Sequence, residues 1–293
     1  MNAALKRGRT MRPTRVYIDD ALLPGSIVDL GRETGAHLAK VLRARCGDEF
    51  VLFNGDGREF TGTIEAVRGS RVSASIGAAR SIDRESPCKV TLVQCVPRGD
   101  RMDFIVQKAT ELGVVRIVPV LSQRSVVRLD ASQAASKQAH WRAVAVSACE
   151  QCGRNRLPSV EAPQPLLNYL GALAPHGAPL GLASGAANGR SLRLVLEPEG
   201  AHAEGNAAQP GGDFGAAVDA VEIAIGPEGG FAADELEAFQ LCAFSRLGLG
   251  PRVLRTETAA IAAVVMLQAR FGDMSANARK TSAIADSCTA SGK

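Results

Sequence analysis

The sequence predicts an α/β protein in two parts: a small N-terminal β-barrel, then a larger domain built on a parallel sheet. Three observations lead to this class. Up to about residue 79, short runs alternate apolar and polar residues between turn signals, the period-two pattern of half-buried strands. From residue 89 on, nearly continuous apolar runs alternate with helix-period segments, as expected of strands covered on both faces by crossover helices. Between the two, residues 81–88 are polar, contain a proline and show no period. A chain of 293 residues is also long enough for two domains.

The elements follow in order. Residues 1–14 are basic, with nothing to anchor a core, and read as a flexible extension; a short transit peptide is the other reading. Residues 15–80 form the barrel. VYID is its first strand, and residues 49–67 (EFVLFNGDGREFTGTIEAV) make two strands around a tight turn at Asn54–Gly57. RVSASIGAA is a further strand, and residues 34–45 (TGAHLAKVLRAR) are a short amphipathic helix. Residues 89–272 form the second domain. KVTLVQCVP, VVRIVPVLS, PLGLAS, VEIAIG and the short FSRLGL are its strands. RGDRMDFIVQKATELG is a helix, with Met102, Ile105, Ala109 and Leu112 on one face and Gly113 as its stop. ASQAASKQAHWRAVAVSACEQCG, AADELEAFQLC and the Ala-rich ETAAIAAVVMLQARFG are further helices. Residues 197–219 and 273–293, small and polar, read as a flexible excursion and a loose tail.

Composition removes several functions. No run approaches ~18 apolar residues, so no membrane span is expected. Seven scattered cysteines, an odd number, argue against a secreted disulfide scaffold and for a cytoplasmic protein. Cys149 and Cys152 form C-x-x-C without a second pair or a nearby histidine, so no metal site is expected. The four histidines show no triad or ligand spacing, and no Ser sits in G-x-S-x-G. A net charge of +4 neither requires nor excludes nucleic acid, and 4% aromatic content speaks against broad base-stacking platforms.

Ligand chemistry concentrates at two loops. Gly226-Pro227-Glu228-Gly229-Gly230 follows a predicted strand and precedes a helix, the position where open α/β sheets bind ligands. It is neither a Walker A loop nor a G-x-G-x-x-G fingerprint, and the pattern alone also fits an ordinary strand-to-helix connection. Leu247–Ala259 repeats the arrangement, with Gly248, Gly250 and Pro251 followed by Arg252, Arg255, Thr256, Glu257 and Thr258 at a helix start that favours anions. Alternatively Thr256 simply caps that helix. Arg154, Asn155 and Arg156, just past the long helix, are candidate phosphate contacts. Arg98–Arg101 reads as part of a solvated face.

Taken together, PRGDRMDFIVQKATELGV, ACEQCGRNRLP, IGPEGGF and LGPRVLRTETAAIAAV, in this order and spacing, closely resemble the RsmE family of 16S ribosomal RNA uridine N3-methyltransferases, members of the SPOUT superfamily. The resemblance covers about residues 15–272. It implies a PUA-like, RNA-binding barrel, then a SPOUT α/β-knot methyltransferase domain with a deep C-terminal trefoil knot. It further implies a homodimer, 16S RNA or the small ribosomal subunit as partner, and S-adenosylmethionine as cofactor. The cofactor would be cradled by Leu182, Ala183 and Ser184, by Gly226, Pro227, Glu228, Gly229 and Gly230, and by Leu247, Leu249, Gly250, Val253 and Leu254. Arg255, helped by Arg252, would stabilise charge developing on uracil O2 and O4, and Glu257 would position an arginine or accept the N3 proton. The other role open to Arg255 and Glu257 is to staple the knot to its dimer mate. RNA contacts would come from Arg12, Arg15, Lys40, Arg43, Arg45, Arg154 and Arg156. Methylation of another RNA position, or a non-catalytic assembly role, are the competing functions.

Overall fold

The computed structural model describes residues 13–41, 44–173, 190–197 and 218–275. The chain divides into two compact units: residues up to Arg84 together with Cys149–Arg156, and Glu85–Ala148 with the residues from Leu157 onward. The division at Arg84 falls inside the segment read as a linker. The return of Cys149–Arg156 to the first unit has no counterpart in a sequence cut into consecutive blocks.

The first unit carries β1 (Arg15–Tyr17), β2 (Ile27–Asp29), α1 (Arg32–Ala36, running into a π-helical turn at His37–Val41), β3 (Glu49–Phe53), β4 (Arg58–Arg68) and β5 (Arg71–Ser81). They form one sheet in the order β1-β3-β4-β5-β2, with β1 and β3 parallel and the other neighbours antiparallel. The hairpin read at Asn54–Gly57 joins β3 to β4, and Gly55 and Gly57 both have φ near +90° (89° and 98°), a region that costs glycine little. Val16, Leu52, Phe60, Ile64, Val72 and Ile76 fill its core with Leu38.

Cys149–Arg156 is tied into this unit by buried polar groups. Arg15 donates to Glu59 at 2.8 Å and to Asn155 Oδ1, and stacks over the Phe53 ring at 4.9 Å. Asn155 Nδ2 donates to Ile82 O, Arg84 donates to Glu59 and to Gly153 O, and the Tyr17 amide donates to Glu150. Arg154 and Asn155 are buried.

The second unit is a parallel sheet made of β6 (Lys89–Cys95), β7 (Arg116–Leu121), β8 (Ser159–Val160), β9 (Gln164–Pro165), β10 (Ser191–Leu196), β11 (Ala220–Ile225) and β12 (Ser245–Leu247). The order is β12-β10-β11-β6-β7-β8, with β9 also on β7. Side chains alternate between two cores, as a sheet covered on both faces requires. Val90, Leu92, Val221, Ile223 and Ile225 face α2 (Arg101–Glu111), α6 (Thr256–Phe271) and Trp141 of α3 (Ala131–Cys152). Val93, Cys95, Val118 and Ala224 face α4 (Leu166–Leu173) and α5 (Ala233–Leu241). Gln268 on α6 locks the last helix in place: its Nε2 donates to Leu112 O and its Oε1 accepts from Ser86 Oγ.

Four strands are not among those expected: β2, β8, β9 and β10, the last formed by SLRLVL between β12 and β11. PLGLAS is expected to form a strand. That segment lies outside the described residues, as do residues 1–12, 198–217 and 276–293.

Glu59 yields a test of the first unit. Burial works against its charge, but hydrogen bonds from Arg15 and Arg84 outweigh it and hold the carboxyl below its usual pKa of 4.5. A depressed acid stabilises the folded state above its unfolded pKa, and that stability is lost as pH falls through the folded value. Glu59→Gln should therefore lower stability at pH 7 by about 1.5–3 kcal/mol. The gap to wild type should close on acidification below pH 4.5, as read by denaturant melts across pH.

Candidate functional site

The parallel register brings four strand ends into one row. Leu247 of β12 lies beside Leu196 of β10, Leu196 beside Ile225 of β11, and Ile225 beside Gln94 of β6. Each of these strands leaves the sheet at the same edge, where ligands of open α/β sheets sit.

A cleft of about 600 Å³ opens there, within the usual ~300–1,000 Å³ range of small-molecule sites. Leu196 and Glu197 reach it from the end of β10, Glu228, Gly229, Gly230 and Phe231 from the end of β11, and Pro251 and Val253 from the end of β12. Leu236 of α5 and Arg124, past β7, complete the wall. Val253, a large apolar side chain, is 82% exposed at its rim. A Cβ at Gly226 would come within 3.2 Å of the Phe231 ring, and Gly230 has φ +69°, so both positions favour glycine.

The loops around the cleft are held by specific bonds. Glu235, almost wholly buried at the start of α5, accepts from the Ala232 and Gln123 amides at 2.9 and 2.8 Å. Arg124 Nη1 donates to Gly229 O at 3.0 Å. Arg101 Nη1 donates to Glu228 at 2.5 Å, and its Nε lies 3.9 Å from Glu257 Oε1. Arg101, read as part of a solvated face, is 41% exposed and paired with the cleft-lining Glu228. Glu257 is mostly buried, and its Oε2 has no hydrogen-bond partner among the described residues. Arg252 and Arg255 are exposed. Arg255 is the N-cap residue of α6 and makes no side-chain capping bond. Thr256 is not that cap: it is the first helical residue, and its hydroxyl donates to Gly226 O at 3.0 Å.

Of the positions read as cofactor contacts, Glu228, Gly229, Gly230 and Val253 line the cleft. Gly226 and Pro227 sit at the root of the same loop, and Leu247, Leu249, Gly250 and Leu254 belong to the β12 loop; Leu247, Leu249 and Leu254 pack on the core beneath. Leu182, Ala183 and Ser184 lie outside the described residues; Leu196 and Glu197, at the end of β10, line the cleft and are not among the expected contacts. Ser191–Leu196 does carry a strand signal, apolar residues in alternation with an arginine between them.

The RNA-contact set also changes. Arg15 and Arg154 are withdrawn: Arg15 is committed to Glu59 and Asn155 with its side chain 10% exposed, and Arg154 is buried. Arg45 and Arg156 are exposed. Arg12, Arg43 and the Lys40 side chain lie outside the described residues. Among the described residues no group of three or more His, Cys, Asp or Glu is placed to hold a metal ion.

Comparison with known proteins places this geometry. The family model of the RNA methyltransferase domain matches residues 84–268, and that of the RNA methyltransferase PUA domain matches residues 30–76. The chain belongs to the ribosomal RNA small subunit methyltransferase E family. Its relative from Mycobacterium bovis is 31% identical over 250 residues, covering 85% of this chain and 88% of the relative. The family member from Bacillus subtilis is 30% identical over 234 residues, 78% of this chain and 84% of its own. A solved family member from Neisseria gonorrhoeae, bound to S-adenosylmethionine, is 34% identical with a TM-score of 0.73, and covers 90% of this chain and all of its own. A Legionella pneumophila protein described as a methyltransferase, with bound cofactor SAM, is 37% identical with a TM-score of 0.77 over the same shares. The fold class is thus that of the family: a PUA-like N-terminal domain and a SPOUT-type methyltransferase domain.

Cys95, next to Gln94, offers a check on how closed the core at the end of β6 is. Burial pushes its thiol up to about 12, with hydrogen bonding to Ser122 and Ser125 opposing the shift. At pH 8 a maleimide should modify exposed Cys46 and leave Cys95 unmodified in the native protein. Peptide mass spectrometry reads the outcome, and rapid labelling of Cys95 would show that this core is open.

Proposed function

We propose that this chain is an S-adenosylmethionine-dependent methyltransferase acting on N3 of a uridine in 16S ribosomal RNA of the small subunit. The observation that carries the reading is the cleft at the ends of β10, β11 and β12, in a chain alignable over 90% of its length with a family member that binds S-adenosylmethionine; Arg101, which pairs with the cleft-lining Glu228, lies 3.9 Å from Glu257.

The residues present suit that cofactor. The apolar wall of Leu196, Phe231, Leu236 and Val253 fits a purine, and Glu197 and Glu228 offer acceptors for hydroxyls or for a cationic group. Gly229 and Gly230 let backbone come close. When bound, S-adenosylmethionine supplies an electrophilic methyl group on its sulfonium.

The rest is done by the chain. The site must hold uracil N3 in line for attack, which accounts for much of the rate. As the N3 proton leaves, charge grows on O2 and O4, and the exposed guanidinium of Arg255, with Arg252 nearby in the same loop, is available to stabilise it. Glu257 Oε2 is the proton acceptor: it is desolvated and its lone pairs are unclaimed, while Arg101 lies near the other oxygen. Arg45 and Arg156 are the remaining candidates for phosphate contacts. We further infer a homodimer, supported by the exposed Phe104 on α2 and Val265 on α6. A cytoplasmic location follows from the proposed ribosomal substrate, and no described helix is long and apolar enough to cross a membrane.

Two measurements test the reading. Small subunits from cells lacking the protein, incubated with it and S-adenosylmethionine, should gain N3-methyluridine in nucleoside mass spectrometry; a ribose-methylated product or none would contradict it. Arg255→Ala should lower kcat about 100-fold with cofactor affinity little changed, and equal losses in both would refute its electrostatic role.

A further inference from the structure

Gln94 closes the row of strand ends and is fully buried between Val93 and Cys95. Its Nε2 donates to Cys95 O at 2.8 Å and to Thr256 Oγ1 at 3.0 Å. Thr256 Oγ1 donates in turn to Gly226 O at 3.0 Å. A hydroxyl has one proton to give. Thr256 spends it on the β11 loop, and the amide of Gln94 fixes the direction in which it does so. The Thr256 hydroxyl spans from the first residue of α6 to the first residue of the glycine loop, and Gln94 ties both to the sheet.

Gln94 Oε1 is buried with no hydrogen-bond partner among the described residues. A leucine of similar size would fill the space without burying an unpaired carbonyl oxygen, so packing alone does not account for an amide here. We propose that Gln94 is a positioning residue of the methyl-transfer site. Through Thr256 it sets the start of α6, with Arg255 and Glu257, against the Gly226–Gly230 loop. This inference rests on the methyltransferase reading above. The loop holds one reactant and the start of α6 serves the other, so loss of the relay displaces the two relative to each other while each keeps its own contacts.

The test compares Gln94→Leu, Thr256→Val and Thr256→Ser by methylation of small subunits at saturating S-adenosylmethionine, calorimetric titration of S-adenosylmethionine, and thermal melts. Gln94→Leu and Thr256→Val should lower kcat about 10- to 100-fold, the cost of a misplacement of about 1 Å, with Kd within about threefold of wild type. Thr256→Ser, which keeps the hydroxyl, should stay within about threefold of wild type in both. The proposal is overturned if Gln94→Leu retains wild-type kcat, if kcat and affinity fall in proportion, or if Thr256→Ser loses as much as Thr256→Val. Should Gln94→Leu fail to fold, the two Thr256 variants decide by themselves. A wild-type protein that binds no S-adenosylmethionine would refute the methyltransferase reading and not the relay.

Discussion

The site depends on one constraint, the parallel in-register pairing of β12, β10, β11 and β6. Because Leu247, Leu196, Ile225 and Gln94 stand in one row, every connection out of those strands must begin at the same edge. There the backbone has left the ladder, and its amides and carbonyls are available to a ligand. Glycine at 226, 229 and 230 then keeps that edge open, where side chains would fill it. An antiparallel pairing or a shifted register would scatter the loops, and the cleft would not follow.

The polar groups around the cleft divide into those already spent and those held in reserve. Glu235, Arg124, Arg101 and Thr256 are spent on joining loops to one another. Arg252 and Arg255 are exposed, Arg255 has no capping duty, and Glu257 keeps one buried oxygen unclaimed. Unpaired buried acceptors are costly and few in native proteins, which is the ground for proposing this oxygen as the proton acceptor.

Much of this is legible in the residues. Buried parallel strands declare themselves as continuous apolar runs, and Gly-Pro-Glu-Gly-Gly at a strand end marks a loop that must let something approach. Three things are not legible, each for a physical reason. Ser191–Leu196 is a short strand interrupted by Arg193, whose charge is satisfied by Glu222 at the adjacent register position; a sequence window sees the charge and not the partner. Arg15, Arg154 and Asn155 carry the same side chains whether they meet phosphate or protein, and neighbours distant in the chain decide which. Gln94 interrupts an apolar run, and its meaning appears once Thr256 and Gly226 are found beside it.

The most direct measurement is a crystal structure of the protein with S-adenosylmethionine. The cofactor should lie between Leu196–Glu197, Gly226–Gly230 and Pro251–Val253, with its methyl group directed toward Arg255 and Glu257 at the start of α6. Density for it elsewhere, or a cleft closed by side chains in the complex, would contradict the account.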